Sequence, residues 1–442
     1  MVITMAKKQT AGTEELIRVD GEIKKRRNRY YAKVSDRYKT LGFVIILTTV
    51  IVCGALLLKY GEYITYDNFV YMIRDFDSVS DKDDGFTEIK FETQNSAVFK
   101  SFRDGVAVIG DNRVSLFDKT GVILCSEEES YSYPAGDAGE KYLITYDVGG
   151  YGYSIYNSVA RVIRRECEFP IICASVSDDG AYAITTESQS SKYATEVYNS
   201  AFKHKMTVLR DQYVMDTAIN RNGETVAVAC ISERGAEIVS EVAFHKMGET
   251  DALNTHVYSA SLPLEVTALN NGVFCVLFDD AIRFYDENGA LKTETAVNGE
   301  DITCFDAVSE GVVLVTRANT LGSKSRIQSF DTDGKTVYDG VIDVRVSDAA
   351  ASFSDPDTAA ILLSADRLCV LGMDSSVSEY PHDGGVRAVL DTGAGGIAMT
   401  ADRGYRFTSD GDENDDGTEE ESSAAADGTA DETGSTDLSE DK

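Results

Sequence analysis

Four histidines, His204, His245, His256 and His382, are the only imidazoles in the 442-residue chain. None has a cysteine or carboxylate at metal-ligand spacing, so they read as surface or structural residues. Eight cysteines are present. Cys53 lies in a long apolar stretch, and Cys125, Cys167, Cys173, Cys230, Cys275, Cys304 and Cys369 are scattered, mostly through β-type apolar runs. Without a CxxC pair they carry no redox or zinc signature and read as small buried hydrophobes. Cys167 and Cys173 alone are close enough in sequence to invite a test for a bond. The strings SDDG at 177–180, DENG at 286–289 and DTDG at 331–334 cluster carboxylates, but the closing glycine marks each as a hairpin turn. Asp412, Asn414, Asp416 and Gly417 match the first half of a calcium loop, yet Ser423 stands where a bidentate glutamate is required. No GxSxG, P-loop or HExxH string occurs in a usable context. The expectation is therefore no catalytic, cofactor-binding or metal residue, and no cofactor.

The elements around these residues are more informative. From 86 to 408 short apolar runs alternate with turn residues, and no long amphipathic helical pattern intervenes, which is an all-β text. One recurring unit is a strand ending in an aromatic or apolar residue, followed by an Asp/Asn turn often closed by Gly. Its copies are RVSLFDKTG ending at 121, SIYN at 157, EVYN at 199, RFYDENG at 289 and QSFDTDG at 334, with weaker copies ending at Gly248 and Asp374. They lie about 40–45 residues apart, the length of a four-stranded propeller blade. A second unit precedes each in phase: GVAVI, GEKYLIT, GAYAITT, GETVAVA, GVFCVL, GVVLVT, AAILL and GIAMT. Each is apolar enough to be a central strand covered on both faces. The expected fold is a β-propeller. Seven units are complete, and a remnant at 386–408 lacks a final outer strand. Pairing it with the isolated segment FTEIKFE at 86–92 closes an eighth blade and hides two open edges, so eight blades are favoured over seven.

Ahead of this domain, residues 41–58 carry neither charge nor proline, near the shortest run that crosses a bilayer core of about 30 Å. Some forty residues precede it and no A-x-A-like cleavage site follows, so it reads as an uncleaved transmembrane anchor, not a signal peptide. Residues 1–40 hold about 11 Lys/Arg against 5 Asp/Glu, and the rest of the chain is near −38. The basic flank places the N-terminus in the cytoplasm and the bulk outside. Tyr30, Val34 and Tyr38 recur at helical spacing within that flank, either as a membrane- or partner-facing stripe or as interfacial residues of a topology signal. The domain boundaries expected are a basic cytoplasmic segment at 1–40, a transmembrane helix at 41–60, a juxtamembrane stalk at 61–85, the propeller ectodomain at 86–408 and an acidic disordered tail at 409–442. In the stalk Tyr63, Tyr66, Phe69, Val70 and Ile73 share one helical face. So acidic a body excludes nucleic acid as a partner.

The blade-length repeat behind a basic head and one anchor resembles bacterial membrane-anchored propellers of the WD40-like and quinoprotein-like type. With the stalk TYDNFVYMIRDFD it is similar, more narrowly, to an uncharacterised family from Gram-positive anaerobes, over all but the tail. The resemblance implies architecture and no catalytic residue. The chain contains no tryptophan, so it lacks both the docking motifs of quinoproteins, and with them pyrroloquinoline quinone, and the Trp-Asp dipeptides of WD40 repeats. The function expected is a binding or scaffold module at the cell envelope, held by the membrane, with a protein or envelope-glycan partner. The alternative is an envelope enzyme whose site is assembled at the central channel from separate blades, which leaves no local motif. A convergent cluster of ionisable groups favours the enzyme, and an apolar or aromatic patch on one face favours the binding module.

Overall fold

The computed structural model describes residues 14–19, 22–27, 29–60, 88–92, 96–382, 384–392 and 395–407. The expected stalk helix and tail, including the calcium-like string, lie outside them.

Eight four-stranded antiparallel sheets follow one another along the chain. Seven are continuous, at 98–128, 134–166, 171–210, 213–259, 263–296, 302–342 and 348–381. The eighth is composite: Ala388–Asp391, Gly396–Met399 and Arg403–Phe407 supply its three inner strands, and Glu88–Lys90 supplies the outermost. The fold is thus an eight-bladed β-propeller, closed by the segment the sequence offered for that purpose.

The glycine-led runs are the second strand of each blade. Gly105–Ile109, Leu143–Asp147, Phe274–Phe278 and Thr358–Leu363 are buried at every position, because other strands flank them and other blades cover both faces. Eight apolar clusters, one per joint between blades, form the core. The aromatic-plus-turn units are the third strand and the hairpin to the fourth. Asp118 shows the chemistry. Its carboxylate accepts the amides of Thr120 and Val122 at 2.9 and 3.0 Å, and Asp286 and Asp331 repeat the arrangement. The glycine that closes the turn also has a packing role. Gly289 and Gly334 have φ of 76° and 72°, and a Cβ there would run into the rings of Phe244 and Phe284 in the preceding blade. In blades 5 and 6 the repeat therefore supplies the glycine that the preceding blade's phenylalanine needs.

The joint between blades 4 and 5 holds a buried cation. The Arg283 guanidinium lies 4.2 Å from the ring centre of Tyr258 and 4.3 Å from that of Phe278. It donates to Asp280, Glu294 and the Ser261 hydroxyl at 3.0, 3.2 and 3.2 Å. Arg283→Ala removes both stackings and the hydrogen bonds to all three partners, and is expected to cost about 3 kcal/mol in a denaturant melt. A cost below about 1 kcal/mol would show that this pairing contributes little.

The N-terminal helix runs Arg29–Tyr60, about 48 Å at 1.5 Å per residue, and so includes Tyr30, Val34 and Tyr38. Val34–Ala55 is long and apolar enough to cross a membrane. Thr40, Thr48 and Thr49 return their hydroxyls to the carbonyls four residues back at 2.8–2.9 Å, which satisfies them without water. Before it, Glu14–Val19 pairs with Glu22–Arg27 as an antiparallel hairpin, an element not expected from the charge pattern, although Asp20-Gly21 between the strands is a turn signal.

Candidate functional site

Strand direction alternates within a blade, so every loop belongs to one of two faces. The hairpin face carries the loops from first to second strand and from third to fourth. The connector face carries the loops from second to third strand and the links to the next blade. The polypeptide enters the ring at Glu88 and leaves it at Phe407, and both lie at the hairpin-face end of their strands, as the Glu88–Tyr405 pairing requires.

Each first strand leaves one edge unpaired along the central channel. Unpaired amides need acceptors, and the neighbouring blade supplies them. The Asp137 carboxylate accepts the Val176 amide at 3.0 Å and the Ser175 hydroxyl at 2.8 Å. Asp216 accepts the Val266 amide at 2.7 Å, Asp306 that of Ala351 at 2.9 Å and Asp348 that of Val389 at 3.0 Å. Ser175 accepts the Ile219 amide at 3.2 Å, and the Ser101 hydroxyl donates to the Asp391 carbonyl at 2.7 Å. Side chains thus stitch the first strands together around the axis. Burial pushes Asp216 and Asp348 up to about 6 despite these amides, with the Asp306 charge adding to the effect on Asp348, and burial likewise raises Asp306. Between the first strands of blades 1, 6, 7 and 8 lies a cavity of about 250 Å³, lined by Phe99, Phe305, Asp306, Asp348, Arg387 and Val389 among others.

Glu265, on the first strand of blade 5, differs. No hydrogen bond to its carboxylate is found among the described residues, and it is accessible to water although protein walls the channel around it. Burial pushes it up to about 7, with Asp216, Asp306 and Asp137 adding repulsion and Lys100 opposing it. Among the described residues the carboxylate–amide bonds join blades 2 and 3, 4 and 5, 6 and 7, and 7 and 8, and none is found at the joint between blades 5 and 6.

The connector-face end of the channel has a second distinctive feature. The first strands of blades 3, 4, 5 and 6 each carry a β-bulge near their start, and the extra residues are Ile172, Met215, Leu264 and Thr303. A bulge takes a residue out of the ladder and re-aims its side chain. Met215 and Leu264 are 37% and 43% exposed, and Tyr213 and Tyr133, at the connector-face starts of the first strands of blades 4 and 2, are 50% and 72% exposed. Tyr133 is held by the Asp147 carboxylate, which accepts its amide at 2.7 Å. Tyr213 sits 6.2 Å from the Tyr193 ring, with the Lys192 ammonium 4.0 Å over its face. The result is an apolar and aromatic arc on the connector face from blade 2 to blade 5.

The residues singled out in the sequence lie elsewhere. His245 is buried, accepts from Arg210 at 2.8 Å, and is pushed down to about 4 by burial and that charge. His256 donates to the Gly289 carbonyl and His382 to that of Ser364, while His204 pairs with Thr207. All eight cysteines are free thiols, and burial raises Cys167 to about 12 and lifts Cys173 well above its ordinary value. The SDDG, DENG and DTDG strings form turns on the hairpin face. Among the described residues no three His, Cys, Asp or Glu side chains are placed to hold a metal ion. The channel carboxylates and the bulges were not read from the sequence. The available signal was a single acidic residue in the strand before six of the eight glycine-led runs, as in MDTA, LEVTA, FDAV and SDAA.

The model of a family of unknown function, DUF5711, matches residues 81–380. The chain belongs to this family. The matched region runs to the end of blade 7 in this DUF5711 protein and omits the three C-terminal strands that complete the ring. No curated protein matches the sequence. Among solved structures, BamB from Moraxella catarrhalis is similar at a TM-score of 0.48 and 9% identity, over 73% of this chain and 99% of that one. The WD40 domain of Neurospora crassa Pan2 is similar at 0.44 and 9%, over 74% and 96%. Kuenenia stuttgartiensis hydrazine synthase is similar at 0.43 and 10%, over 67% and 98%. These likenesses concern architecture and transfer no ligand to this DUF5711 chain.

Proposed function

We propose that the protein is a membrane-anchored binding module whose propeller presents the connector face to a partner outside the cytoplasm. The exposed apolar and aromatic arc around the channel, from Tyr133 to Leu264, is the observation that carries this reading. It lies on the face opposite the one where the chain enters from the anchor side. The channel carboxylates do not compete with it, because Asp137, Asp216, Asp306 and Asp348 are engaged in joining blades. The helix supports the anchor: Phe43, Ile46, Val50 and Ile51 are each more than 60% exposed, a surface that lipid accommodates and water does not. The excess of Lys/Arg before it supports a cytoplasmic N-terminus, with the stalk as a spacer and the acidic tail as a solvated extension.

Protease added to intact cells is expected to digest the propeller and to spare residues 1–40. Protection of the propeller would overturn the topology. Tyr133→Ala combined with Tyr213→Ala is expected to keep the melting temperature within about 2 °C and to abolish most cross-linking of partners to the ectodomain. Undiminished cross-linking would overturn the use of this face. An envelope enzyme is the second reading, favoured by Glu265, whose carboxylate has no hydrogen bond among the described residues and is raised into the range of a general acid or base.

A further inference from the structure

Four observations converge on the channel mouth between blades 4 and 5. The bulges at Met215 and Leu264 stand on adjacent first strands that the Asp216–Val266 bond joins, and they leave two aliphatic side chains open to water. Glu265 follows Leu264 directly, and its carboxylate makes no bond that joins blades among the described residues. The first strands carry Asp137, Asp216, Glu265, Asp306, Asp348 and Asp391 against Lys100, so the channel attracts cations and repels anions. Finally, blade 4 is taller than its own first strand. Its second and third strands, Thr225–Arg234 and Glu237–Lys246, pair along ten residues, whereas the first strand begins at Tyr213 opposite Ile231. Residues 232–234 therefore have no neighbouring strand on that side among the described residues, and this short backbone edge stands beside Tyr213.

An open edge beside apolar pockets suits an extended peptide, which adds main-chain hydrogen bonds and seats alternate side chains. A globular or purely apolar occupant leaves both the edge and Glu265 unused. We infer that this mouth takes an extended segment of a protein partner carrying a lysine or arginine next to an apolar residue. The basic side chain pairs with Glu265, the apolar one packs on Met215, Leu264 and Tyr213, and the backbone adds to the edge at 232–234. The inference rests on the binding-module reading and names its partner class.

The test uses the full-length chain in lipid nanodiscs, screened with a randomised octapeptide library, and the selected peptides are measured by fluorescence anisotropy. The expected selection is enriched in Lys or Arg beside an aliphatic or aromatic residue. Glu265→Gln is expected to weaken binding about tenfold, and Met215→Glu by more. Wild-type affinity is expected to rise several-fold from pH 6 to pH 8 as Glu265 ionises among Lys100, Asp137, Asp216 and Asp306, and Glu265→Gln to flatten that rise. Glu265→Gln replaces a carboxylate that joins no blades, and an unchanged melting temperature at pH 5 checks its fold. Selected peptides without a basic preference, or indifferent to Glu265→Gln but lost in Tyr213→Ala, would overturn this inference and leave the binding reading standing. No selected peptide at all, or peptides indifferent to every mouth variant, would count against both.

Discussion

Acidification from pH 8 to pH 5 raises the melting temperature of the propeller by several degrees. Asp216 and Asp348 stand near 6 in the folded chain, Asp306 is raised and Glu265 stands near 7, against 3.8 for an ordinary aspartate and 4.5 for an ordinary glutamate. Between these limits the folded state holds protons that the unfolded chain has lost, so stability falls as pH rises through this window. His245 acts in the opposite sense. Its value near 4 means the unfolded chain takes up a proton below about 6.5 that the folded chain refuses, and stability is lost as pH falls from there. Four carboxylates outweigh one imidazole, and relief of the body's net negative charge adds to them. The net gain is on the order of 2 kcal/mol after allowing for the solvent access of Glu265. Below pH 4 the trend reverses, because arginine partners hold carboxylates such as Asp339 below their ordinary value. The double variant Asp216→Asn, Asp348→Asn is expected to melt higher than wild type at pH 8 and level with it at pH 5, with the amide oxygens still accepting from Val266 and Val389. A melting temperature that falls steadily from pH 8 to pH 5 would refute this account of the channel.

The larger effect is expected at the ring closure. Ile89 is 2% exposed and packs with Phe99, Phe117, Ile397 and Met399 at the joint between blades 8 and 1. Its strand pairs with one 315 residues later in the chain, where Arg403 meets Glu88 at 3.3 Å. Deleting residues 86–92 uncovers that cluster and leaves the edge of Arg403–Phe407 open to intermolecular pairing. The expected outcome is a melting temperature lower by more than 10 °C and concentration-dependent aggregation. Ile89→Ala, which keeps the backbone ladder, is expected to cost about 2–5 kcal/mol. A melt unchanged by the deletion would mean that the other seven joints hold the ring without closure. Because this pairing bridges nearly the whole domain, refolding should be slow, and Ile89→Ala should accelerate unfolding far more than it slows folding.

The parts of the fold legible in the sequence were those specified locally. An Asp or Asn accepting amides two and four residues ahead, with a glycine at positive φ, is short-range chemistry and leaves a short-range pattern. The second strands are covered on both faces, so they appear as uninterrupted apolar runs. The unmatched strand at 86–92 was legible because a blade missing its edge calls for one. The channel was not, because Asp216 acts on Val266 fifty residues away, and a lone acidic residue in an apolar strand looks the same whether it faces solvent or a neighbour's amide. The bulges at Met215 and Leu264 left no mark either, since the displaced residue is an ordinary hydrophobe. The pairing of Glu14–Val19 with Glu22–Arg27 was not read, because the basic run there reads as a topology signal, which passes over the Asp20-Gly21 pair.

The composite eighth blade also determines how the molecule responds to force. Tension applied between the N-terminal side of Glu88 and an object held on the connector face acts along the strands. The three-residue strand Glu88–Lys90 is then loaded in shear against Arg403–Phe407, and its rungs share the load instead of opening one by one. The ring's most remote contact in sequence is thereby its first to bear tension, and its rupture would open the ring and lengthen the N-terminal segment, while the chain stays covalently continuous into blade 1.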